Sequence, residues 1–511
     1  MKKESFTSYL FLIFLGSITS LSLPPFNYFI INFFTFSLIF IFLIKKSKIH
    51  QNKKLFFLYG WLFGFGYFAS NLYWVSISLT FDENFKSLIP LTIFIIPGFL
   101  SIFFGLISCT FIIFKSKKII NSFLIFSLIF GVLEFLRGSI LTGFPWNLIA
   151  YSFSNHSEIL SITSLIGTYG LNLVCVSLFT SPALLILRYS KEEVGIFIFF
   201  LIAFISFYSY GVYYEDKFSK EKKEIYDYKI RVIGSNISLD RFYSGIDTTS
   251  IINELIKISN PKLEEKTIFV WPEGILPGIY QEELSGYSSI FDKNFSENHL
   301  LIIGTNTQIE NDVSKNFFNT LSVYDDKLNL LDSYNKINLV PFGEFLPFEK
   351  ILKKVGLKSL TNNYQSFSKG EKREIINIKK KNFSIKILPL ICYEIIYSGK
   401  IFSNNNFDLI VNISEDGWFG KSIGPDQHFA KSIFRAIENN TFLLRSTNQG
   451  VSAIIDNKGN IVKELKRNEA GNIEFEVPLM KSNKIKNDLI FFILLITYLL
   501  FFLINKKQNA K

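Results

Sequence analysis

The sequence predicts an α/β domain inserted before the last helix of an eight-span α-helical membrane domain. Three observations lead to this fold class. The chain of 511 residues is 49% apolar and contains 58 phenylalanines, which is more apolar than an ordinary soluble enzyme of this length. Long hydrophobic stretches fill its first part and return near its end. Between them, charges become frequent, and short β-branched or aromatic runs alternate with helix-compatible stretches.

Each long hydrophobic stretch is about long enough to cross a hydrocarbon core of roughly 30 Å. The eight predicted spans are residues 7–24, 28–44, 56–80, 88–114, 119–136, 158–187, 194–213 and 488–504. The first follows Lys2 and Lys3, as a signal peptide would. Its ending, Leu23-Pro-Pro-Phe26, has no small-residue cleavage site, so we expect this span to be retained.

Positive charge predicts how these spans are oriented, because lysine and arginine in short loops stay on the cytoplasmic side. Loops rich in positive charge alternate with loops that carry little of it. The positive clusters are Lys2-Lys3, Lys45–Lys54, Lys115–Lys118, Arg188–Lys191 and Lys506-Lys507. We therefore expect a multi-pass membrane protein with both termini in the cytoplasm; in a bacterium this is the inner membrane, and the space outside it is the periplasm. Its expected domains are 1–215 (seven spans), 216–486 (periplasmic and catalytic) and 487–511 (the eighth span and a tail).

The formal net charge of +11 does not call for a nucleic-acid partner. Much of the excess lies in the predicted cytoplasmic loops, where it favours contact with anionic lipid headgroups of the bilayer. The four histidines, at positions 50, 156, 299 and 428, are scattered and show no metal-ligand spacing. The sequence therefore predicts no metal and no other cofactor.

In the α/β region, ten short apolar runs predict strands and three stretches predict helices. The predicted strands are Lys229–Ser235, Thr267–Trp271, His299–Thr305, Phe317–Tyr324, Leu328–Asn335, Ser384–Ile391, Leu409–Ile413, Phe442–Ser446, Ser452–Ile455 and Ile461–Leu465. The predicted helices are Asp247–Ser259, Leu346–Val355 and Asp426–Asn439.

Cys392 directly follows one of these strands and is the single cysteine outside the predicted spans. Cys109 and Cys175 lie inside hydrophobic stretches, so an intrachain disulfide is excluded. A lone thiol at a strand end is a candidate nucleophile. The alternative is a small buried apolar residue.

Two further strand ends carry charged residues that can complete a catalytic site with Cys392. Glu273 follows Thr267–Trp271, and Lys336 follows Leu328–Asn335. Strand ends can meet along one edge of a sheet and form a Glu-Lys-Cys triad. There the carboxylate takes the thiol proton, and the ammonium group holds negative charge on the attacked carbonyl oxygen. The alternatives are a solvated turn carboxylate and a surface lysine.

At this point the motifs resemble those of the apolipoprotein N-acyltransferase family over nearly the whole chain. The soluble motifs are Trp271-Pro-Glu-Gly274, Tyr334-Asn-Lys336, Val340-Pro-Phe-Gly-Glu344, Cys392-Tyr-Glu394, Asn412-Ile-Ser-Glu-Asp-Gly-Trp-Phe-Gly420, Arg435-Ala-Ile-Glu438 and Arg445–Ser452. The membrane motifs are Leu23-Pro-Pro-Phe26, Glu134-Phe-Leu-Arg137, Gly143-Phe-Pro-Trp-Asn147 and Gly167-Thr-Tyr-Gly170. The soluble motifs alone indicate only the nitrilase superfamily. The eight spans narrow the resemblance to the apolipoprotein N-acyltransferase family.

The resemblance implies a nitrilase-like α-β-β-α sandwich and an acyltransferase. By that resemblance, an acyl chain passes from a phospholipid, through a cysteine thioester, to the N-terminal amino group of diacylglyceryl-cysteine in an apolipoprotein. This is the last step of lipoprotein maturation. Glu273 is then the proton acceptor, Lys336 the oxyanion-stabilising group and Cys392 the nucleophile. The implied partners are the phospholipid donor and the diacylated apolipoprotein, and we expect a monomer.

Other residues of these motifs are candidates for supporting roles. Glu344 would orient Lys336 or share its charge, and Glu394 would anchor the strand end; a structural salt bridge is the alternative for both. Tyr393, Trp418 and Phe419 are candidate substrate-binding residues, with packing in the core as the alternative. In the membrane half, we expect Glu134 and Arg137 to pair with each other rather than contact a lipid headgroup.

The sequence departs from the family pattern at two places. The pattern has a glutamine before Gly-Asn near the first soluble strand and a tryptophan after it, whereas this chain has Ile233-Gly-Ser-Asn236 and then Arg241-Phe-Tyr243. The pattern's Asn-Asp-Ala before Trp-Phe-Gly is Glu415-Asp-Gly417 here. We assign no role to Ser235 or Phe242 from the sequence.

Three other functions fit parts of the chain. A membrane-tethered nitrilase-type amidase would use the same triad with water as acceptor, but one span is enough for tethering. An inactive transporter or scaffold with a binding module does not need an intact triad. A papain-like pair of Cys392 and His428 would have no recognisable protease motif around either residue.

Overall fold

The computed structural model describes residues 6–81, 83–188, 190–220, 225–243, 247–311, 314–347, 366–380, 383–399, 406–476, 478 and 487–508. Its α-helices are α1 (Phe6–Thr19), α2 (Ile30–Ser47), α3 (Lys53–Leu72), α4 (Ile89–Phe114), α5 (Ile119–Arg137), α6 (Ser157–Leu160), α7 (Thr163–Thr180), α8 (Pro182–Leu187), α9 (Lys191–Lys220), α10 (Thr248–Ser259), α11 (Ser288–Asn294), α12 (Gly424–Glu438) and α13 (Asn487–Gln508). We call α1–α9 and the segments that connect them, together with α13, the membrane half.

Apolar runs form helices in the membrane half because a helix satisfies its own backbone groups in hydrocarbon. Among the described residues, seven helical segments are long and apolar enough to cross a membrane, and a shorter apolar one covers Phe6–Ser22. The seven long segments match the second to eighth predicted spans. The short one lies where the first span is predicted.

One predicted span, 158–187, is interrupted in the structure. It consists of α6, α7 and α8, and Gly167 inside α7 has φ 69° and ψ 171°. That conformation is open to glycine at little steric cost. Another span, 56–80, stays α-helical to Leu72 and continues as a 3₁₀-helix over Tyr73–Thr80.

The described residues of the α/β part form two six-stranded mixed sheets. The strands are β1 (Lys229–Gly234), β2 (Thr267–Val270), β3 (His299–Asn311), β4 (Ser314–Asp325), β5 (Leu330–Asn335), β6 (Ile376–Lys380), β7 (Phe383–Ile391), β8 (Leu409–Glu415), β9 (Phe442–Asn448), β10 (Ser452–Ile455), β11 (Ile461–Leu465) and β12 (Gly471–Phe475). The first sheet has the order β12-β1-β2-β3-β4-β5 and the second β11-β10-β9-β8-β7-β6. Strands β1–β3 run parallel in one sheet and β7–β9 in the other.

Side chains alternate across these strands, so each sheet buries both of its faces. Ile268 and Val270 of β2 point into the core between the two sheets, while Phe269 points to the helical side, under α10 and α11. On the second sheet, Leu388 and Ile410 face α12. The layers are therefore helix, sheet, sheet, helix, as the predicted sandwich requires.

The helix layer over the second sheet is shared with the membrane half. Phe434 of α12 meets Tyr151 at 4.7 Å between ring centroids. Gln427 accepts hydrogen bonds from the indoles of Trp74 (3.3 Å) and Trp146 (2.8 Å). Helix α12 therefore packs the α/β part against the membrane half.

The ten predicted strands are all present, but two short strands were missed. Strands β6 and β12 lie at the edges of the sheets, and β12 has mostly polar residues, so neither gives a strong apolar signal. The predicted helices Asp247–Ser259 and Asp426–Asn439 correspond to α10 and α12. The predicted helix Leu346–Val355 lies mainly outside the described residues. The three-domain division stays a prediction.

Candidate active site

Cys392 sits on a strained turn directly after β7. Its φ of 48° lies in the left-handed region, which costs a non-glycine residue on the order of 1–3 kcal/mol and is common at functional sites. The residue is half-buried at the core between the two sheets. Burial and the charge of Glu273 raise the pKa of the thiol well above its ordinary value, against the opposing effects of Lys336 and Ser414. The thiol is therefore protonated at neutral pH and needs a base.

The Lys336 ammonium group lies between two carboxylates. Its Nζ is 3.2 Å from Glu273 Oε1 and 2.8 Å from Glu344 Oε1, and its side chain is fully buried. Burial alone would lower the pKa of Lys336, but the charges of Glu273 and Glu344, and to a lesser degree of Cys392, raise it well above its ordinary value. The lysine thus stays charged, as a group that stabilises an oxyanion must.

Besides Lys336, two hydrogen-bond donors fix the Glu273 carboxylate. The backbone amide of Glu415, at the end of β8, donates to Oε2 at 2.8 Å. The side-chain amide of Asn319 donates to Oε1 at 2.7 Å and to Glu344 Oε1 at 3.0 Å. Glu273 is only 6% exposed, so these contacts replace the water that a free carboxylate would bind.

Asn319 is a site residue that the sequence reasoning missed. It lies inside β4 and is buried. A polar amide within an otherwise apolar run, Phe317-Phe-Asn-Thr-Leu321, is the signal that marks such a residue, because buried polar groups need specific partners.

Glu394 holds together the loops that carry the other site residues. Its buried carboxylate accepts hydrogen bonds from Tyr334 (2.7 Å), Arg373 (2.6 Å) and the backbone amide of Ile391 (2.9 Å). The amides of residues 337 and 338 also donate to it. Burial alone would raise its pKa, but Arg373 and these hydrogen bonds lower it below its ordinary value. Glu394 thus ties the turn at Cys392 to the segment after Lys336.

Tyr393 lies at the contact with the membrane half. It is buried, and its hydroxyl donates to the carbonyl of Gly143 at 3.3 Å. Tyr397 donates to the carbonyl of Thr142 at 2.9 Å. These contacts fit the packing alternative for Tyr393.

Trp418 and Phe419 form part of an aromatic surface between the two halves. Trp418 stacks on Phe242 at 5.3 Å and meets Phe81 edge-on at 5.8 Å. Phe419 packs edge-on against Trp74 at 4.8 Å. Both side chains are partly exposed. Phe242, to which the sequence assigns no role, thus packs beside Trp418 in this aromatic surface.

His428 approaches the backbone of Cys392. Its Nε2 lies 3.3 Å from the Cys392 carbonyl oxygen, and its Nδ1 lies 3.0 Å from both Asp416 Oδ1 and Arg445 Nη2. With its two ring nitrogens engaged in this way, the imidazole contacts the backbone of the nucleophile.

In the membrane half, Arg137 and Glu134 form an ion pair at 2.7 Å, and both side chains are buried. This is the pairing that the sequence predicts.

Fold and site together define a membrane-embedded protein of the nitrilase superfamily. A family model described as carbon-nitrogen hydrolase matches residues 254–486, and one described as the N-terminal domain of apolipoprotein N-acyltransferase matches residues 15–181. A crystal structure of a nitrilase-superfamily member, Saccharomyces cerevisiae Nit3, is similar at 16% identity and a TM-score of 0.34, over 50% of this chain and 92% of that one.

Two proteins named apolipoprotein N-acyltransferase match almost from end to end. The one from Rickettsia typhi is 33% identical and covers 91% of this chain and 90% of its own length. The one from Rhizobium leguminosarum bv. trifolii is 30% identical and covers 90% of this chain and 88% of its own length. The chain belongs to the apolipoprotein N-acyltransferase family. With seven long apolar helices among its described residues, it is a multi-pass protein of a bacterial inner membrane.

Proposed function

We propose that this protein transfers an acyl chain from a phospholipid to the N-terminal amino group of diacylglyceryl-cysteine in an apolipoprotein, through a thioester on Cys392. The observation that carries the proposal is the placement of the Lys336 ammonium between Glu273 and Glu344, with the strained Cys392 turn beside them. Family membership supports the choice of substrates.

In the first half-reaction, Glu273 takes the proton of the Cys392 thiol, and the thiolate attacks an ester carbonyl of the phospholipid. A C–S bond forms, and the carbonyl oxygen becomes an oxyanion beside Lys336. The C–O bond then breaks, and Glu273 returns the proton to the departing lysophospholipid oxygen. The result is an acyl-enzyme and a lysophospholipid.

In the second half-reaction, the amino group of the apolipoprotein attacks the thioester. Glu273 takes a proton from the attacking nitrogen, a C–N bond forms and the C–S bond breaks. The proton passes to the sulfur of Cys392, which restores the resting site. Because both half-reactions pass through an oxyanion, Lys336 acts twice.

The membrane half keeps this reaction close to the bilayer, where the acyl chain need not leave the hydrocarbon core completely. Moving a whole acyl chain into water costs about 0.8 kcal/mol per methylene group. Helix α12 and the turn at Tyr393 both contact the membrane half, which keeps the nucleophile close to it. An ester near the bilayer surface then reaches Cys392 while most of its chain stays in hydrocarbon.

We further propose that residues 216–486 face the periplasm and that both termini are cytoplasmic, as the positive clusters at Lys45–Lys54 and Lys506-Lys507 indicate. The proposed working unit is a monomer, because Glu273, Lys336 and Cys392 all come from one chain.

Intact-mass measurement of the protein purified with native lipid tests the reaction. We expect a mass increase of one acyl chain that is lost on adding a diacylated lipopeptide, with the chain recovered on the peptide amine. The variant Cys392→Ala should show neither event. A wild-type protein that hydrolyses small amides but never carries or transfers an acyl chain would instead identify an amidase.

A further inference from the structure

His428 is a fully buried side chain with no part in the reaction described above. It projects from α12 on the outer side of the second sheet, whereas the Cys392 side chain lies on the inner side, at the core between the sheets. The imidazole reaches around the strand end and contacts the backbone carbonyl of Cys392.

The Cys392 carbonyl determines the role of one ring nitrogen of His428. A carbonyl oxygen only accepts, so Nε2, at 3.3 Å from the Cys392 oxygen, is the donor in this hydrogen bond. The other nitrogen, Nδ1, lies 3.0 Å from both a donor, Arg445 Nη2, and an acceptor, Asp416 Oδ1. Burial and the charge of Arg445 lower the pKa of His428, against the opposing effect of Asp416.

The ring has little freedom to leave this orientation. Trp146 of the membrane half stacks on it at 5.5 Å with an interplanar angle of 18°, and Phe419 lies at 5.4 Å. Asp416 holds Arg445 at 2.8 Å. Arg445 also donates to Asn412 Oδ1, and Asn412 donates to the carbonyl of Leu390 at 3.1 Å. The same network therefore holds the chain before and after the nucleophile.

The held carbonyl fixes the amide that follows it. In a trans peptide, C=O and N–H point in opposite directions. The Cys392 carbonyl contacts His428 of α12, so the Tyr393 N–H points away from α12, to the side on which Cys392 packs against the core between the sheets. Tyr393 is in the first turn of a five-residue 3₁₀-helix, where backbone amides have no helical acceptor.

We propose that His428 is a positioning residue: it holds the peptide plane between Cys392 and Tyr393, so that the backbone amide after the nucleophile stays aimed at the developing oxyanion beside Lys336. This inference rests on the proposed function, because it requires Cys392 to be the nucleophile. The amide donor carries no charge, and its direction depends on the peptide plane that His428 holds.

A matched pair of substitutions tests this role. Glutamine places an amide nitrogen the same number of bonds from Cα as His428 Nε2, whereas asparagine places it where Nδ1 was. Losing one oxyanion donor typically costs about 10²–10³ in rate. We expect His428→Asn to slow single-turnover acylation of Cys392 by about 10²-fold and His428→Gln to stay within about tenfold of wild type.

Alkylation by iodoacetamide provides the second readout, because it uses the Cys392 thiolate but forms no oxyanion. In a background with Cys109→Ser and Cys175→Ser, the rate should be unchanged in both His428 variants. Wild-type acylation in His428→Asn, equal losses of acylation and alkylation, or a folded His428→Gln as slow as His428→Asn would each overturn the inference. Acylation that survives Cys392→Ala would overturn the proposed function itself.

Discussion

Arg241 and Glu415 form a buried ion pair beside Glu273. Their side chains are 0% and 3% exposed, and the backbone amide of Glu415 donates to Glu273. Both residues lie in segments where the sequence departs from the family pattern. These two segments contact each other in the structure, and Arg241 is the cation that pairs with the Glu415 carboxylate.

The pair gives a prediction about pH and stability. Burial raises the pKa of Glu415 to about 7, against the opposing effect of Arg241. In the unfolded chain this carboxyl ionises near its ordinary value of 4.5, so its contribution to stability falls as pH rises from about 4.5 to 7. Glu415→Gln cannot titrate and should flatten this part of the stability profile. Thermal unfolding in detergent across that range measures the effect.

Arg241→Met is the complementary control for this prediction. Without the guanidinium group, the Glu415 pKa should rise further, and the loss of stability should move to higher pH. Breaking a buried pair costs about 3–5 kcal/mol when one charge is left alone. A Glu415→Gln variant with a pH profile identical to wild type would contradict the assigned titration.

Glu273 and Glu344 should respond differently to amide substitution. In the proposed mechanism Glu273 moves protons, so Glu273→Gln should lower single-turnover acylation by about 10²–10⁴-fold. Glu344 contacts Lys336 and the backbone amide of Val340, and Glu344→Gln should cost about 10–100-fold, the value of a hydrogen bond to a charged group. Thioester formation followed by quenched mass measurement separates the two. The roles are exchanged if Glu344→Gln is the more impaired variant.

Asn319 should be sensitive to charge rather than to size. Asn319→Asp is isosteric but places a third carboxylate against Glu273 and Glu344 and removes the donor that they share. We expect acylation to fall by about 10²-fold, with partial recovery at lower pH as a carboxyl group becomes protonated. Asn316→Asp, on the same strand, is the control. Equal rates in both variants would show that the shared donor is unimportant.

Glu394 should contribute to stability in the opposite pH direction from Glu415. Its pKa is below the ordinary 4.5, so its contribution is present above that value and is lost as pH falls through the folded pKa. Glu394→Gln leaves Arg373 without a carboxylate and should cost about 3–5 kcal/mol at neutral pH. The exposed substitution Glu464→Gln is the control in thermal unfolding. Equal melting temperatures for the two variants would refute the anchoring role.

The proposed orientation is tested by fusions at the ends of described helices. Alkaline phosphatase fused after Lys217, at the end of α9, should be active, and the same enzyme fused after Lys48 should be inactive. A fluorescent protein after Lys511 should be bright. Activity at Lys48 and not at Lys217 would reverse the topology and exclude a periplasmic acceptor.

The sequence predicts much of this fold because apolar runs and strand ends are local signals. The strand ends before Glu273, Lys336 and Cys392 are visible as patterns. The partners of these residues are not, since Asn319 reaches Glu273 across the sheet from the middle of β4. The contact of His428 with the Cys392 carbonyl depends on how α12 packs, and no spacing along the chain encodes it. The edge strand β12 escapes because it has only five residues, of which only Ile473 and Phe475 are apolar.

The sharing of α12 between the two halves means that the α/β part is not a detachable module. Gln427 bonds to indoles of the membrane half, and Glu438 accepts a hydrogen bond from the backbone amide of Thr168 at 2.6 Å. A fragment cut free of the membrane half would expose these polar groups and the apolar face around Phe434. For purification, inhibitor screening or grafting onto another anchor, the smallest useful unit is therefore the whole chain in a lipid or detergent environment.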